Sequence, residues 1–259
     1  MNRARDAADW LLKTRAERRP ITTLPPDLLP ADADGAASVQ RAMADAMGGA
    51  IAGFKIGATG ARMQAYMGLD APIGGVMLAA DVHASPAALR FADFVNPGTE
   101  CEIAVRLGRD LPHGPCGADR AAAAIADVFA AIEVVENRFA AHAPDIGVLT
   151  IASDRMYHAA AVLGATPASP LDPRAMVTLR GTMTADGVLR DSGEGAGLLG
   201  DPLRCLMWLA ESRLVAAFGG LRAGQVVLLG SVTPPLWLDG PASVTVAFAG
   251  LPPVNVRFS

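Results

Sequence analysis

Hydrophobic and polar residues alternate along most of the chain after about residue 80, whereas the first 50 residues follow a helical period. Runs such as "ECEIAVRLG", "AIEVVENR" and "QVVLLGSV" predict β-strands, and "TMTADGVLR" predicts a hairpin that turns at Asp186-Gly187. Helices are predicted from about Ala36 to the Gly48-Gly49 pair, over "GADRAAAAIADVFAA" and over "GDPLRCLMWLAESRLVAAFG". Strands dominate without strict β-α-β alternation, so the pattern indicates an α+β protein with a helical N-terminal cap.

Two glutamates open the strand "ECEIAVRLG". Side chains alternate between the faces of a strand, so Glu100, Glu102 and Ala104 share one face, and Cys101 lies on the other. Cys101 is therefore expected to be a small core residue rather than a nucleophile. Two like charges at the head of a buried strand cost stability unless a partner neutralises them.

A third glutamate, Glu133, lies in the apolar run "AIEVVENR", where Val135 and Asn137 would share its face. The segment between the two runs contains a loop and a predicted helix, so the two strands can lie side by side. Three carboxylates that converge from two strands offer the oxygen ligands that Mg²⁺ and Mn²⁺ prefer, with room for a chelating substrate. Taken alone, an E-x-E pattern is also typical of an exposed strand with neighbouring arginines, and spacing leaves both interpretations open.

Lys55 stands between two apolar residues in "GFKIGATG", a short strand that leads into a glycine-rich turn. A lysine in this context is expected to be at least partly desolvated, which suits an acid/base group or a charge partner for a carboxylate. The alternative is a lysine at a strand edge with its ammonium group in solvent. The phosphate-loop pattern G-x-x-x-x-G-K-[ST] is absent and Lys55 precedes the turn, so a nucleotide site is not indicated.

Composition and charge exclude several classes of function. The net charge is −4 and no basic patch is interleaved with aromatic residues, so a nucleic-acid partner is not expected. No apolar stretch approaches the roughly 20 residues of a membrane span, and no signal-peptide pattern is found. The three widely spaced cysteines indicate a reducing compartment, and we expect a cytoplasmic protein. The scattered histidines predict no zinc site: His83, His113, His142 and His158.

The order of the motifs resembles the 2-keto-4-pentenoate hydratase family, which includes 4-oxalocrotonate decarboxylases, within the fumarylacetoacetate hydrolase superfamily. The motifs "GFKIGATG", "ECEIAVRLGRDL", "AIEVVENR", "GEGAGLLGDPLRCLMWLA" and "LRAGQVVLLGS" occur in the family order. The resemblance implies an α+β fold with a small helical N-terminal segment on a mixed, β-rich body like the C-terminal part of fumarylacetoacetase. Residues 1–80 would form the helical cap with the first active-site strand, and residues 81–259 the metal-binding catalytic domain. A homo-oligomer is also implied, in some members complexed with a pathway partner enzyme.

The resemblance also implies roles for particular residues. Four positions match the family's Mg²⁺ or Mn²⁺ ligands and its catalytic lysine: Glu100, Glu102, Glu133 and Lys55. Three further positions are candidate substrate contacts: Asp154, Arg155 and Ser231. In this chemistry a 2-oxo acid chelates the cation through its carboxylate and 2-oxo oxygens, and the cation stabilises the negative charge that develops on the 2-oxo oxygen.

The implied function is a metal-dependent hydratase, a lyase of a 2-hydroxydienoate or 2-oxo acid, in aromatic compound catabolism. The alternatives are a 2-oxo-diacid decarboxylase and a catalytically impaired homologue that still binds the metal and a 2-oxo acid. A C–C bond hydrolase is a further possibility, but no histidine is placed by motif to serve as its general base.

Three parts of the chain depart from the family pattern. Ile73 replaces the acidic residue of P-[DE]-[FY]-G, and Asp201 stands at the histidine of "LGHP". In "ASDRMYH", Arg155 and Tyr157 depart from the family's A-D-N-A-S. The metal ligands therefore match the family while the residues expected to face the substrate differ, which weakens the case for hydration by the usual route. Arg155 would either bind a second carboxylate or replace an amide behind the ligands.

Overall fold

Strands build two mixed sheets in this protein, and the helices are short apart from two near the N-terminus. A computed structural model describes residues 2–141 and 143–259. The helices are α1 (Arg3–Ala16), α2 (Ala33–Met47), α3 (Ala61–Met67), α4 (Ala118–Ala124), α5 (Ala143–Ile146), α6 (Val148–Ser153), α7 (Pro202–Glu211) and α8 (Arg213–Ala217). The strands are β1 (Ile51–Gly57), β2 (Ile73–Leu78), β3 (Val82–Ala84), β4 (Ala87–Leu89), β5 (Pro97–Leu107), β6 (Ile125–Glu136), β7 (His158–Leu163), β8 (Arg180–Ala185), β9 (Val188–Glu194), β10 (Val226–Ser231), β11 (Leu236–Trp237), β12 (Ser243–Phe248) and β13 (Val254–Phe258).

The larger sheet has the strand order β2-β1-β10-β5-β6-β7-β3, and the short β11 pairs with β5. The smaller sheet has the order β4-β13-β12-β8-β9. In the larger sheet β1 runs parallel to β10 and β3 parallel to β7, while the other pairs are antiparallel. The predicted α+β class with a helical N-terminal segment is confirmed. Both β1 and β2 belong to the larger sheet, and the division at residue 80 stays a prediction.

The central strands β5 and β6 are buried on both faces. The alternation of side chains along each strand decides in which apolar cluster a residue lies. On β6, the residues from Val128 to Val134 with even numbers lie in the main core, which includes residues of both sheets and of α7. Phe129 and Ala131 lie in a smaller apolar cluster on the opposite face. Cys101 is fully buried in the main core, as predicted. The face that carries Ala131 is also the face of the glutamates.

Two predicted helices differ from the structure. The helix expected over "GADRAAAAIADVFAA" ends at Ala124, and β6 begins at Ile125, because the β-branched and aromatic residues that follow pair with β5. The helix expected over "GDPLRCLMWLAESRLVAAFG" is split into α7 and α8. The break falls at Ser212, whose Oγ accepts a hydrogen bond from the backbone N–H of Val215 and thereby caps α8.

Other local predictions agree with the structure to within a few residues. Helix α2 begins at Ala33, three residues earlier than expected, because the Asp32 carboxylate accepts a hydrogen bond from the first turn. It ends at Met47, and the next residue, Gly48, adopts the left-handed conformation typical of a glycine helix stop. The hairpin of β8 and β9 turns at Asp186 and Gly187, both with positive φ, as predicted. No helix in the described residues is long and apolar enough to cross a membrane.

A buried ion-pair cluster joins α1 to the segment that follows β6. One Asp154 carboxylate oxygen accepts a hydrogen bond from Arg15 Nε at 2.7 Å, and the other accepts one from Arg138 Nη2 at 3.0 Å. Arg15 lies in α1, and Arg138 lies two residues after the end of β6. Asp154 therefore neutralises two arginines that belong to different parts of the fold.

Replacing Asp154 with alanine should lower the free energy of unfolding by about 3–5 kcal/mol, because it leaves two largely buried guanidinium groups without a counter-charge. Denaturant titration followed by circular dichroism measures the change. Asp9→Ala is the matched control, because Asp9 is exposed and pairs with Arg5 on the surface of α1. This control should cost less than about 1 kcal/mol. Equal losses for the two variants would contradict the proposed importance of the cluster.

Candidate metal centre and active site

Three carboxylates converge on one face of β5 and β6. Glu100 lies directly opposite Glu133 in the antiparallel register, and Glu102 shares the face of Glu100. One ligand oxygen from each glutamate lies within 4.8 Å of the others. The structure therefore brings together the three glutamates selected from the sequence. The alternative interpretation as ordinary exposed charges is wrong, because Glu102 and Glu133 are both 0% exposed.

Glu102 and Glu133 each use one carboxylate oxygen in contacts with the protein. Glu102 Oε2 accepts a hydrogen bond from the backbone N–H of Gly230 at 2.8 Å. Glu133 Oε1 lies 3.0 Å from Lys55 Nζ and 2.9 Å from His158 Nδ1. The other oxygens, Glu102 Oε1 and Glu133 Oε2, are buried and have no hydrogen-bond partner in the described part of the chain. Such atoms are costly to bury, and a divalent cation with a preference for oxygen ligands fits them.

The charges of the three glutamates also indicate that the cluster binds a cation. Burial and the neighbouring Glu133 carboxylate raise the pKa of Glu100 to about 8. Burial, together with repulsion from the other two glutamates, raises the pKa of Glu102 well above its ordinary value. Burial also raises the pKa of Glu133, although Lys55 acts in the opposite direction. One lysine does not balance three carboxylates, so the cluster fits a bound divalent cation.

Lys55 reaches the cluster from β1, between β10 and β2. Its side chain is buried, which confirms the predicted desolvation and excludes the alternative with the ammonium group in solvent. In the register of β1 and β2, Lys55 lies opposite Gly75. A Cβ atom at Gly75 would lie 3.3 Å from Lys55 Cε and would collide with the carbonyl oxygen of Arg155. Glycine therefore leaves room for the lysine to extend towards Glu133, and its catalytic role stays a prediction.

A bulge in β10 supplies the backbone donor for Glu102. The pairing of β10 with β5 shifts register between Leu228 and Ser231, and Gly230 has a φ of +129°. This conformation turns the Gly230 N–H away from the regular ladder and towards Glu102 Oε2. A side chain at this position would be strained by the backbone and would clash with Thr59.

His158 contacts the cluster although no motif in the sequence singles it out. Burial lowers its pKa well below the ordinary value, so the ring is neutral. A neutral ring beside a carboxylate carries its proton on Nδ1, and His158 therefore donates to Glu133 Oε1. One feature is consistent with this contact: His158 is the first residue of β7, which pairs with β6, the strand of Glu133. Another histidine considered from the sequence, His142, lies outside the described residues.

The hydroxyl groups of Ser231 and Thr233 differ in whether they are free to bind a ligand. Ser231 Oγ accepts a hydrogen bond from the N–H of Cys101 at 2.9 Å and donates one to the C=O of Thr233 at 2.7 Å. Thr233 Oγ1 is buried and lacks a partner among the residues that the structure describes. Both residues line a cavity beside Glu100. Thr233, which the sequence reasoning missed, is therefore better placed than Ser231 to donate to a ligand.

Asp154 and Arg155 lie behind the cavity wall. Both Asp154 oxygens contact arginines, and Arg155 Nη1 donates to Asp81 Oδ2 at 2.6 Å. Neither side chain is among the cavity-lining residues. Arg155, Met156 and Tyr157 all have positive φ, a strained left-handed turn that places Met156 and Tyr157 in the wall. The structure thus does not bring these two candidate substrate contacts to the cavity.

Two cavity lobes meet at Glu100, which lines both. The first, here called the lysine lobe, has a volume of about 430 Å³, and its own walls include Lys55, Val135, Asn137, Met156, Tyr157 and Trp237. The second, the threonine lobe, has a volume of about 510 Å³, and its own walls include Thr59, Arg62, Ser231 and Thr233. Val135 and Asn137 line the side of the sheet on which Glu133 lies, as predicted from the alternation. Each lobe is large enough for a small organic molecule.

Comparison with known proteins identifies the family. Residues 59–259 match the fumarylacetoacetate hydrolase C-terminal family, and the chain belongs to it. A 2-keto-4-pentenoate hydratase of Paraburkholderia phymatum is 31% identical over 261 residues, which cover 100% of this chain and 98% of the relative. A 4-oxalocrotonate decarboxylase of Pseudomonas putida is 28% identical over 82% of this chain and 78% of the relative.

A solved structure agrees over nearly the whole chain. The 4-oxalocrotonate decarboxylase of Pseudomonas putida G7, complexed with magnesium and adipate, has a TM-score of 0.88 and 26% identity, and the comparison covers 99% of this chain and 97% of that one. The same enzyme has also been solved with calcium and acetate. The predicted family is confirmed. The relatives are hydratases and a decarboxylase, both lyases, which agrees with the predicted function and its first alternative. Related structures contain divalent metals.

Two departures from the family pattern have structural roles here. Ile73 is buried in the core next to the N-terminal helices and lines neither lobe. The Asp201 carboxylate accepts a hydrogen bond from the N–H of Leu203 at 2.9 Å and caps α7. Neither residue contacts the three glutamates, so these departures leave the cluster itself intact.

Replacing Glu133 with glutamine should weaken Mn²⁺ binding at least about 100-fold, because it removes the charge of one of the three ligands and replaces one carboxylate oxygen with an NH₂ group, which does not bind the cation. Isothermal titration calorimetry measures the affinity. Glu136→Gln is the matched control, since Glu136 lies on the same strand but accepts a hydrogen bond from the backbone of Val95. The control should bind Mn²⁺ as the wild type does. Unchanged affinity in Glu133→Gln would rule out the three-glutamate site.

Proposed function

We propose that this protein is a Mg²⁺- or Mn²⁺-dependent lyase that hydrates a short 2-hydroxydienoate, by way of its 2-oxo form, in the catabolism of aromatic compounds. The observation that carries the proposal is the three-glutamate cluster, which has two free buried oxygens next to a buried lysine. The chain is similar to a hydratase over its full length, and this similarity supports hydration over the alternatives.

Each residue of the cluster has a defined part in this proposal. Glu100, Glu102 and Glu133 would hold the cation, which when bound supplies a Lewis acid for the substrate's carboxylate and 2-oxo oxygens. Lys55 and His158 both contact Glu133 Oε1, so they orient its carboxylate and leave Oε2 free to face the cation. Burial of the cluster keeps water away from these charges and strengthens their interactions.

Lys55 is the group best placed to act on the substrate. It lines the lysine lobe next to Glu100, and its Nζ lies 3.0 Å from Glu133 Oε1. From this position an ammonium group can donate a proton to a reacting carbon or stabilise negative charge on an adjacent oxygen. In hydration, the dienol first becomes the conjugated 2-oxo-3-enoate by gaining a proton at C5 and losing the proton of its 2-hydroxyl group. Water then adds across the C3–C4 double bond, with its hydroxide at C4 and its proton at C3.

A 2-oxo-diacid decarboxylase is the second candidate. It is supported by the similarity to 4-oxalocrotonate decarboxylases and by Arg62, an exposed arginine in the wall of the threonine lobe. A guanidinium group there could pair with a second carboxylate. The third candidate is a catalytically impaired homologue that binds a 2-oxo acid, which the replacement of the family's acidic residue by Ile73 supports.

Turnover of 2-hydroxypenta-2,4-dienoate with Mg²⁺ distinguishes these candidates. We expect loss of the dienol absorbance and formation of a hydroxy-keto acid, followed by spectroscopy and mass spectrometry. Release of CO₂ from a 2-oxo-diacid without hydration of the dienoate would favour the decarboxylase. No turnover of either compound, together with metal-dependent binding of oxalate, would favour the impaired homologue.

Replacing Lys55 with methionine should lower kcat by about 10²- to 10⁴-fold, because the variant keeps the length of the side chain but lacks its proton and charge. Steady-state kinetics at saturating Mg²⁺ measures the loss. Lys13→Met is the matched control, since Lys13 is the only other lysine and its side chain is exposed on α1. Mn²⁺ affinity is measured in parallel, because Lys55 also contacts Glu133. A kcat like that of the wild type would contradict a catalytic role.

We further propose that the protein is a cytoplasmic homo-oligomer that associates with a pathway partner enzyme. The three cysteines are free and buried, which supports a reducing compartment. Val188 and Leu189 are exposed on β9, an edge strand of the smaller sheet, and such a strand supports self-association. Size-exclusion chromatography with light scattering tests the oligomer, and a monomer at micromolar concentration would contradict it.

A further inference from the structure

We propose that Gln40 is a positioning residue for Lys55, and that it acts through the backbone of β2 and the left-handed turn from Arg155 to Tyr157. Gln40 lies in the middle of α2 and is 2% exposed. It is not among the described residues that line either lobe, so it acts on the reaction without touching the substrate. The inference rests on the proposed function, in which Lys55 acts on the substrate.

The Gln40 amide covers an edge of the larger sheet. Strand β2 is the end strand of this sheet as described, so its outer backbone groups need partners other than a strand. Gln40 Oε1 accepts a hydrogen bond from the N–H of Val76 at 2.9 Å, and Gln40 Nε2 donates one to the C=O of Gly74 at 3.0 Å. The side chain therefore binds the backbone on both sides of Gly75, in the place of a further strand.

The same amide also binds the segment that leads into the turn. Gln40 Nε2 donates a second hydrogen bond to the C=O of Ala152 at 2.6 Å, and Ala152 is the last residue but one of α6. Both N–H groups and the carbonyl oxygen of the amide are thus used. The strained turn begins three residues after Ala152, at Arg155. Gln40 therefore ties β2 and the turn to one helix.

Gly75 lies close to both the turn and the lysine. It is opposite Lys55 in the register of β1 and β2. A Cβ atom at Gly75 would collide with the carbonyl oxygen of Arg155 and would lie 3.3 Å from Lys55 Cε. The hydrogen bonds from Gln40 hold the two neighbours of this glycine, so they fix the backbone against which the lysine side chain extends.

A second contact joins the turn to β1, the strand of Lys55. A Cβ atom at Gly57 would lie 2.9 Å from Met156 Cε and 3.6 Å from Lys55 Nζ. The Met156 side chain therefore packs against β1 close to the ammonium group. Because Lys55 Nζ lies 3.0 Å from Glu133 Oε1, a shift of the turn or of β2 would change the position of the ammonium group beside the three glutamates.

Asp81 anchors the turn at another point, so loss of Gln40 should loosen the turn rather than remove it. Asp81 Oδ2 accepts hydrogen bonds from the N–H of Leu78 at 3.2 Å and from Arg155 Nη1 at 2.6 Å. These bonds connect the turn to the end of β2 and do not involve α2. A variant of Gln40 therefore keeps one anchor of the turn, and its effect on Lys55 can be measured in a folded protein.

Replacing Gln40 with methionine tests the inference, because methionine has a similar length and lacks the amide. We expect kcat for 2-hydroxypenta-2,4-dienoate to fall about 10- to 100-fold, since displacement of a catalytic group by about 1 Å has an effect of this order. KM should change less than about 2-fold, because Gln40 lines neither lobe. In the Lys55→Met background the same replacement should change kcat less than about 2-fold, because the group that it positions is absent.

The lysine content of the chain makes the position of Lys55 measurable without turnover. Lys13 and Lys55 are its two lysines, so protein labelled with ¹³C at the lysine Cε gives one carbon–proton signal for each in nuclear magnetic resonance spectra. Gln40→Met should shift or broaden the Lys55 signal. The Lys13 signal should stay unchanged, because this side chain is exposed on α1.

Two further variants separate positioning from stability. Asp32→Ala is the matched control, because it removes the N-cap contact to Gly35 at the start of the same helix. It should lower the unfolding temperature and leave kcat and the Lys55 signal unchanged. Gln40→Asn is the milder variant: it keeps an amide in the core but is one methylene shorter, so it cannot make all three hydrogen bonds. It should reduce kcat less than Gln40→Met does.

Several results would overturn the inference. They are a wild-type kcat or an unchanged Lys55 signal in Gln40→Met, an equal fold-loss of kcat in the Lys55→Met background, and a similar loss in Asp32→Ala. If Gln40→Met does not fold, a wild-type kcat and Lys55 signal in Gln40→Asn overturn it instead. Failure of the proposed function has a different signature, since the wild type would not turn over the dienoate while the Lys55 signal would still respond to Gln40→Met.

Discussion

Mutual repulsion among three carboxylates, two of them buried and one half-buried, is the constraint on which the rest of this structure depends. Glu100, Glu102 and Glu133 bring their oxygens within 4.8 Å of one another inside a largely apolar sheet. Such a group is tolerated only where donors and cations surround it. Lys55, His158 and the Gly230 backbone supply part of that compensation, and two carboxylate oxygens remain free for a metal ion.

Each compensating group comes from a different part of the chain. The pairing of β5 with β6 places Glu100 opposite Glu133, and the bulge in β10 aims the Gly230 N–H at Glu102. Strand β1 contributes Lys55 and β7 contributes His158. These groups all lie on strands that are largely buried in the sheet. The site is therefore built into the sheet rather than assembled on a loop.

The cavity wall departs from the family pattern, whereas the metal cluster matches it. The chain retains the carboxylates and the lysine that match its family, but the turn from Arg155 to Tyr157 is strained and its side chains are bulky. The strain is held by ion pairs at both sides of the turn, Asp154 with two arginines and Arg155 with Asp81. The glutamate cluster and the turn in the cavity wall are thus held by separate groups of contacts.

The sequence by itself determined a good part of this picture. Period-two alternation placed Glu100 and Glu102 on one face and Cys101 on the other, and the apolar context of Glu133 and Lys55 indicated their burial. Prediction from the sequence failed where the local pattern of the chain was ambiguous. The switch from α4 to β6 at Ile125 was missed, because a short apolar run fits a helix and a buried strand equally well.

Only the tertiary structure decided which side chains meet. Asp154 binds Arg15, which lies 139 residues away, and Arg155 binds Asp81 across 74 residues, and neither residue lines the cavity in which the substrate contact was expected. The pairing of His158 with Glu133, and the free hydroxyl at Thr233 rather than Ser231, likewise depend on partners distant in the chain. Alternation along a strand is a local property of the backbone. The partner of a buried polar group is set by the packing of the whole fold.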